Sequence, residues 1–224
     1  MTEVSNDVTP HPDAPIVVLG ATSGIGALVV DDALRRGLSV RGFARGADKM
    51  PRRDGLDPVA GDARNPDDLA QAVAGARAVI YALGIKERPA MLWEQETLFS
   101  ESTKALLDVM ATAGVRRLVA VTGFGAGRSR AAMSGLEKLG HGLLLGRVYA
   151  DKSRQEELIE NSPLDWTIAR PVILTKGPRT GNVRVLSKPS EWRNGLISRS
   201  DVAEYLVRSV LEGANIGESV VLAR

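Results

Sequence analysis

The 224-residue chain contains no cysteine, two histidines and 4% aromatic residues. Without cysteine there is no disulfide, no thiolate nucleophile and no cysteine-ligated metal. His11 and His141 are too few and too scattered to build a zinc site without carboxylate help, so no metal is expected. No apolar run approaches the roughly 20 residues that a membrane helix requires. Residues 1–14 hold no Lys or Arg and no apolar core of the kind a secretory leader needs. With Pro10 and Pro12 inside it and Pro15 just after, that stretch reads as a flexible, solvated tail, and the protein is expected in the cytoplasm. Charge of one sign is also scarce, the net being +2. The pairs Arg35/Arg36, Arg52/Arg53 and Arg116/Arg117 are dispersed along the chain, which argues against nucleic acid or a membrane surface as partner.

What is present is an ordinary globular composition, 44% apolar and 25% charged, at a length that suits one domain. Strand and helix signals alternate from residue 16 onward. Short apolar runs at Ile16–Leu19, Leu38–Ala44, Pro58–Gly61, Ala78–Ala82 and Leu118–Thr122 read as strands. Helical patterns at Ala27–Arg36, a short basic stretch at Ala47–Arg52, Asp67–Val73 after Asn65-Pro66, and Trp93–Ala113 closed by Gly114 separate them. The second half continues with a helix at Val148–Asn161, strands at Asp165–Ala169 and Asn182–Leu186, a helix at Asp201–Glu212 and a strand at Ser219–Leu222. Nearly all-apolar strands between helices predict an α/β fold, a single doubly wound parallel sheet of the Rossmann type over residues 15–224.

The most informative segment is Ile16-Val17-Val18-Leu19-Gly20-Ala21-Thr22-Ser23-Gly24-Ile25-Gly26. A strand, a glycine turn and a helix in that order hold a dinucleotide pyrophosphate, because the backbone must approach the phosphates and the helix must aim its N-terminus at them. The residue ending the second strand separates NAD from NADP. An acid there would accept from the ribose 2′-hydroxyl and repel a 2′-phosphate. This strand runs Val40-Arg41-Gly42-Phe43-Ala44-Arg45 with no acid, so NADP is favoured over NAD, Arg45 answering the extra phosphate with Thr22 and Ser23 as nearby hydroxyl donors. Arg41 is an alternative to Arg45. Asp62, at the end of the third strand, either accepts from the adenine amine or serves as a cap or turn acid before Pro66. Ala82-Leu83-Gly84 end the fourth strand with small residues against which adenine and ribose can pack.

Gly-Ala-Thr-Ser-Gly-Ile-Gly (20–26), Phe-Ala-Arg (43–45), Gly-Asp-Ala (61–63), Tyr-Ala-Leu-Gly (81–84), Gly-Val-Arg-Arg-Leu-Val-Ala-Val-Thr (114–122), Leu-Asp-Trp-Thr-Ile-Ala-Arg-Pro (164–171) and Ile-Ser-Arg-Ser-Asp-Val-Ala (197–203) form an ordered series. In it the chain resembles the atypical short-chain dehydrogenase/reductases, specifically the NmrA-like and biliverdin-IXβ (flavin) reductase-like NAD(P)-binding proteins. The resemblance implies cofactor contacts at Gly20, Thr22, Ser23, Gly24, Ile25, Gly26, Arg45, Asp62, Ala63, Ala82, Leu83, Gly84, Thr122, Lys152, Pro171 and Ile173. It further implies that backbone groups of Pro171-Val172-Ile173-Leu174 meet the nicotinamide carboxamide.

Two features depart from the family. The glycines at 20, 24 and 26 follow the conventional spacing, whereas the atypical branch usually has its middle glycine one residue earlier. The conventional catalytic Tyr-x-x-x-Lys is absent, since Tyr149 is followed by Lys152 three residues on and position 153 is serine. Both spacings place side chains on one helix face, but the angle differs, so the tyrosine's proton-donating role is not carried over. Three residues are candidates for chemistry: Tyr149, Lys152 and Thr122. The resemblance puts Lys152 near the ribose or substrate; the residues alone equally allow an i,i+4 pair with Glu156 on a solvated face. Thr122, where the family keeps its catalytic-side serine, either steadies a carbonyl or caps a strand end. Gly127-Arg128-Ser129-Arg130-Ala131 lacks the final glycine of a nucleophile elbow and is rejected as one. The glycine- and leucine-bearing stretch 123–146 lies where such folds build a substrate lid.

These residues fit an NADP(H)-dependent reductase acting on a planar, conjugated small molecule such as a flavin, quinone or tetrapyrrole. Such an acceptor can draw its proton from solvent, which makes the missing Tyr-Lys pair tolerable. The alternative is a non-catalytic NAD(P)-binding sensor of the NmrA-like type. A sugar-nucleotide epimerase or dehydratase ranks lower, since those enzymes retain the Tyr-Lys pair. A monomer or homodimer is expected.

Overall fold

The computed structural model describes residues 13–85, 97–132 and 135–224, with the backbone alone for 130, 132 and 135–145. The tail at 1–12, the expected helix start at Trp93, and the side chains of Met133, Leu136, Leu139 and Leu143 to Leu145 lie outside the described residues. Among the described residues no helix is long and apolar enough to cross a membrane.

The strands are β1 (Ile16–Leu19), β2 (Val40–Ala44), β3 (Leu56–Ala60), β4 (Ala78–Tyr81), β5 (Arg117–Val121), β6 (Asp165–Pro171), β7 (Ile173–Thr175), β8 (Arg184–Leu186), β9 (Leu196–Ser198) and β10 (Glu218–Ala223). Eight form one sheet in the order β3-β2-β1-β4-β5-β6-β10-β8, and β7 and β9 form a separate pair. All pairings are parallel except β10 with β8. Strands β1, β4 and β5 are buried along their whole length, the property that left them without polar alternation in the sequence.

Helices α1 (Gly24–Arg35) and α5 (Arg199–Glu212) pack together and share one apolar cluster with that face of the sheet. Helices α2 (Pro66–Val73), α3 (Leu98–Ala113) and α4 (Gly135–Glu160) contribute to or flank the second cluster. The fold is therefore the doubly wound α/β sandwich the sequence predicts. Three helix termini have a visible cause. Gly114 takes a left-handed φ of 69° to close α3, Asn65 caps α2 by accepting from the Asp67 amide, and the Asp151 carboxylate of α4 accepts from the Phe99 and Ser100 amides at the start of α3.

Several elements differ from the sequence expectation. β3 spans Leu56–Ala60 rather than 58–61, because Gly55 (φ 78°) turns the chain just before it and the Phe43 ring sits 2.6 Å from where a Cβ of Gly61 would stand. The basic stretch at 47–52 forms a single 3-10 turn, Ala47–Lys49, since Met50 must be extended ahead of Pro51. Helix α4 begins at Gly135, well ahead of Val148. The β7–β9 pair was not foreseen.

Arg117 knits the N-terminal end of β5 to its surroundings. It is buried, and its guanidinium donates to the Asp165, Ser209 and Ala214 carbonyls and to the Thr167 and Ser209 hydroxyls. Burial pulls it down to about 10, still well above neutral, so it stays charged. Arg117→Met keeps the stem but strands those acceptors. It should cost about 3 kcal/mol in urea unfolding without changing the m-value.

Candidate functional site

The glycine turn sits at the C-terminal end of β1, where parallel sheets place ligands. Gly20 has φ 86°, and a Cβ there would lie 2.6 Å from the Ala82 carbonyl oxygen at the end of β4. Gly26 lies in the first turn of α1, where a Cβ would come within 2.2 Å of the Gly20 oxygen. Gly24 has φ 59° with nothing near its Cβ position, so it is fixed by conformation alone. The amide of Gly20 donates to Phe43 O, which locks the turn to β2. Thr22, Ser23 and Gly24 are exposed and Ile25 half-buried. Ser23 makes no side-chain cap bond, and the first turn of α1 carries no acid. The positive end of the helix is thus unscreened, and the cradle fits a pyrophosphate.

Arg45 is exposed just past β2 and forms no ion pair with the described residues; Asp62 is the acid within its electrostatic reach. Arg41 is otherwise committed. Its guanidinium pairs with Asp57 and donates to the Ala72 and Ala74 carbonyls, which corrects the alternative that put it on the cofactor phosphate. Asp62 is a turn acid. Its carboxylate accepts from the Arg64 amide and guanidinium, and these bonds hold it below the usual carboxylate range. The capping alternative is corrected too, since Asn65 caps α2. Ala63 is buried beside it, and Ala82, Leu83 and the open Gly84 line the far side of the glycine turn. A cleft of about 350 Å³ beside the turn is lined by Thr22, Gly46, Lys49, Met50, Arg53 and Leu56, among others.

The candidate chemical groups gather at the ends of β5 and β6. Lys152 donates from Nζ to the Thr122 carbonyl at 2.6 Å, with its ammonium 5.0 Å from the Phe99 ring centre and 5.7 Å from that of Tyr149. Tyr149 and Lys152 therefore do share a face. The Tyr149 hydroxyl lies 2.8 Å from where a Cβ of Gly123 would stand, so glycine admits the ring. The Thr122 hydroxyl donates to Glu156 Oε1 at 2.5 Å and the residue is buried, so its proton is committed to α4. Glu156 is 1% exposed and bound in two places by Arg170, from Nε at 3.0 Å and Nη2 at 2.8 Å. This corrects the picture of a solvated Lys152–Glu156 pair. Pro171 and Ile173 lie at the end of β6 and the start of β7, but their backbone is partly spent. Pro171 O accepts from Phe124, Val172 donates to Leu222 O, and Ile173 donates to Gly195 O. The amides at 172 and 173 are thus committed within the protein, so a carboxamide contact here would fall to the other backbone groups of 172–174.

The buried Glu156–Arg170 pair was missed from the sequence. The signal available was Arg170 at the end of the otherwise uncharged run Trp166-Thr167-Ile168-Ala169, since a charge in a buried strand demands a counter-charge.

A protein family described as NAD(P)H-binding matches residues 20–212. An uncharacterized chloroplastic protein of Arabidopsis thaliana is 31% identical over 206 residues, covering 88% of this chain and 72% of the relative. Among solved structures, the anaerobilin reductase ChuY of Escherichia coli O157:H7 has a TM-score of 0.78 at 24% identity, covering 94% of this chain and 97% of that one. A short-chain dehydrogenase/reductase of Veillonella parvula in complex with NADP has a TM-score of 0.78 at 17% identity, covering 94% of each chain. At those identities the two structures share the fold.

Burial pulls Lys152 down from 10.5 to about 8, against an upward push from Glu156. Between those two values the folded chain holds fewer protons at this site than the unfolded chain. This group therefore makes stability rise with pH across that window and adds no slope below it. Urea titrations from pH 7 to 10 should show wild type gaining on Lys152→Met as pH rises; a constant difference would mean an ordinary lysine.

Proposed function

This chain belongs to the NAD(P)H-binding family, and from that premise we propose that it is an NADP(H)-dependent oxidoreductase that reduces a planar, conjugated small molecule such as a flavin, quinone or tetrapyrrole. The observation that carries the cofactor half is the pairing of a backbone cradle that excludes Cβ atoms at Gly20 and Gly26 with an exposed guanidinium at Arg45 that forms no ion pair among the described residues. The family match and the NADP complex among the structural neighbours support it. Bound NADPH supplies the hydride. The chain's residues have three tasks: the glycine turn and the start of α1 hold the pyrophosphate, Arg45 meets the 2′-phosphate, and Lys152 stands at the ribose and acceptor end as an ammonium at neutral pH. No side chain is asked to deliver a proton, because a conjugated acceptor takes one from water.

A redox sensor is the second reading. It is favoured by the three-residue spacing of Tyr149 and Lys152 and by a Thr122 hydroxyl already spent on Glu156.

Calorimetric titration should find NADPH bound more tightly than NADH. Arg45→Glu should weaken NADPH by about 10- to 100-fold while leaving NADH within a few-fold, as loss of one charge-assisted phosphate contact implies. Absorbance of the reduced nicotinamide, followed with a panel of flavins and quinones, should then show oxidation that Lys152→Ala abolishes. Tight NADPH binding with no turnover across the panel would decide for the sensor.

A further inference from the structure

Thr122 is gripped twice by α4, and the two grips lie one helical turn apart. Its carbonyl receives the Lys152 ammonium at 2.6 Å, and its hydroxyl is held by Glu156 at 2.5 Å. Glu156 is in turn fixed by Arg170, the largest fully buried side chain among the described residues. The guanidinium carbon of Arg170 lies 5.1 Å from the centre of the Trp192 ring, and its Nη1 has no partner among the described residues. The backbone of the loop after β5 closes over the carboxylate, for a Cβ on Gly127 would stand 2.0 Å from Glu156 Oε2. A buried ion pair of this kind is a poor source of stability, since desolvating both charges consumes most of their attraction. What it does supply is a fixed negative charge and a fixed oxygen position.

We propose that Glu156, clamped by Arg170, is the positioning residue of this site: it holds Thr122 as the seat of the Lys152 side chain and keeps that side chain charged for the cofactor or acceptor. The proposal rests on reading Lys152 as the amine of the site. The groups around the ammonium leave this task to Glu156. From α4 itself, Tyr149 is kept neutral because burial, and then Glu156, push its phenol up. Asp151, also on α4, turns its carboxylate to the start of α3, where it accepts from Phe99 and Ser100, and it also accepts from Arg154 of its own helix. From α3 the neighbour is the uncharged Phe99 ring, and from β6 the charge is that of Arg170, already matched to Glu156. Glu160, one turn further along α4, lies 3.6 Å from Arg170 and on the side away from Lys152 along the helix.

The test needs no cofactor. Protein labelled with ¹³C at lysine Cε is titrated by NMR, with the Lys152 signal assigned by its absence in Lys152→Met. The wild-type midpoint should fall near 8. Glu156→Gln should lower it by about one pH unit, as loss of one buried negative charge a helical turn away implies, while Glu156→Asp should stay close to wild type. Should Glu156→Gln fail to fold because Arg170 is left unmatched, Glu156→Gln/Arg170→Met removes both charges and should show a smaller fall in the same direction, since the loss of the guanidinium offsets part of the loss of the carboxylate. A midpoint unmoved in whichever of these variants folds overturns the proposal and leaves the pair a purely structural brace. NADPH titration of the same samples separates the two readings. A shifted midpoint in a protein that binds no NADPH would sink the oxidoreductase and spare the positioning role.

Discussion

The rest of the molecule depends on one backbone-on-backbone approach, that of the first turn of α1 to the end of β1. A methyl group at Gly26 would occupy the space of the Gly20 oxygen, and one at Gly20 would occupy that of Ala82. This closeness sets the depth at which α1 lies on the sheet. It thereby sets which residues of α1 reach α5 and fill the cluster between them, Val29, Val30 and Ala33 against Val202, Leu206 and Val210. It also leaves the helix start bare, with neither a capping side chain nor an acid. Packing and ligand chemistry are therefore set by the same missing side chains, and neither can be altered without the other.

The molecule also buries two guanidiniums in neighbouring strands, and they do different work. Arg117, at the start of β5, spends its two terminal nitrogens on neutral oxygens from three segments, its Nε having no partner among the described residues, and is a knot in the chain far from the ligand end. Arg170, near the end of β6, has a full counter-charge and leaves one nitrogen unpartnered. A charge solvated by carbonyl dipoles contributes cohesion across elements, whereas a charge matched by a carboxylate fixes where that carboxylate stands. Their positions along the sheet follow that division: the knot lies at the closed end and the matched pair beneath the site.

The alternation of strands and helices and the glycine turn were legible in the sequence because their causes are local. Glycine positions, apolar four- and five-residue strands and the Asn65-Pro66 start of α2 each declare themselves within a few residues. The β7–β9 pair was not legible, since three-residue strands such as Ile173–Thr175 are too short to show a period. The early start of α4 was hidden by Gly140, Gly142 and Gly146, which lower helix propensity and read as loop. Arg41 lies within β2 and Arg45 just past its end, so only the placement of Asp57 and the end of α2 showed which was committed. The fate of the Thr122 hydroxyl and of the amides at 172 and 173 was decided by partners 34, 50 and 22 residues away, beyond the reach of any local pattern.

The length of α4 has a mechanical consequence. It runs from Gly135 to Glu160, and its tie to the sheet at the site is made by Lys152 and Glu156. A straight helix rises about 25 Å between its first residue and Lys152, more than the whole span of a five-residue strand. Anchored at Thr122, such a rod acts as a lever, and a tilt of about 5° at the fulcrum carries its tip about 2 Å, the scale of a hinge closure.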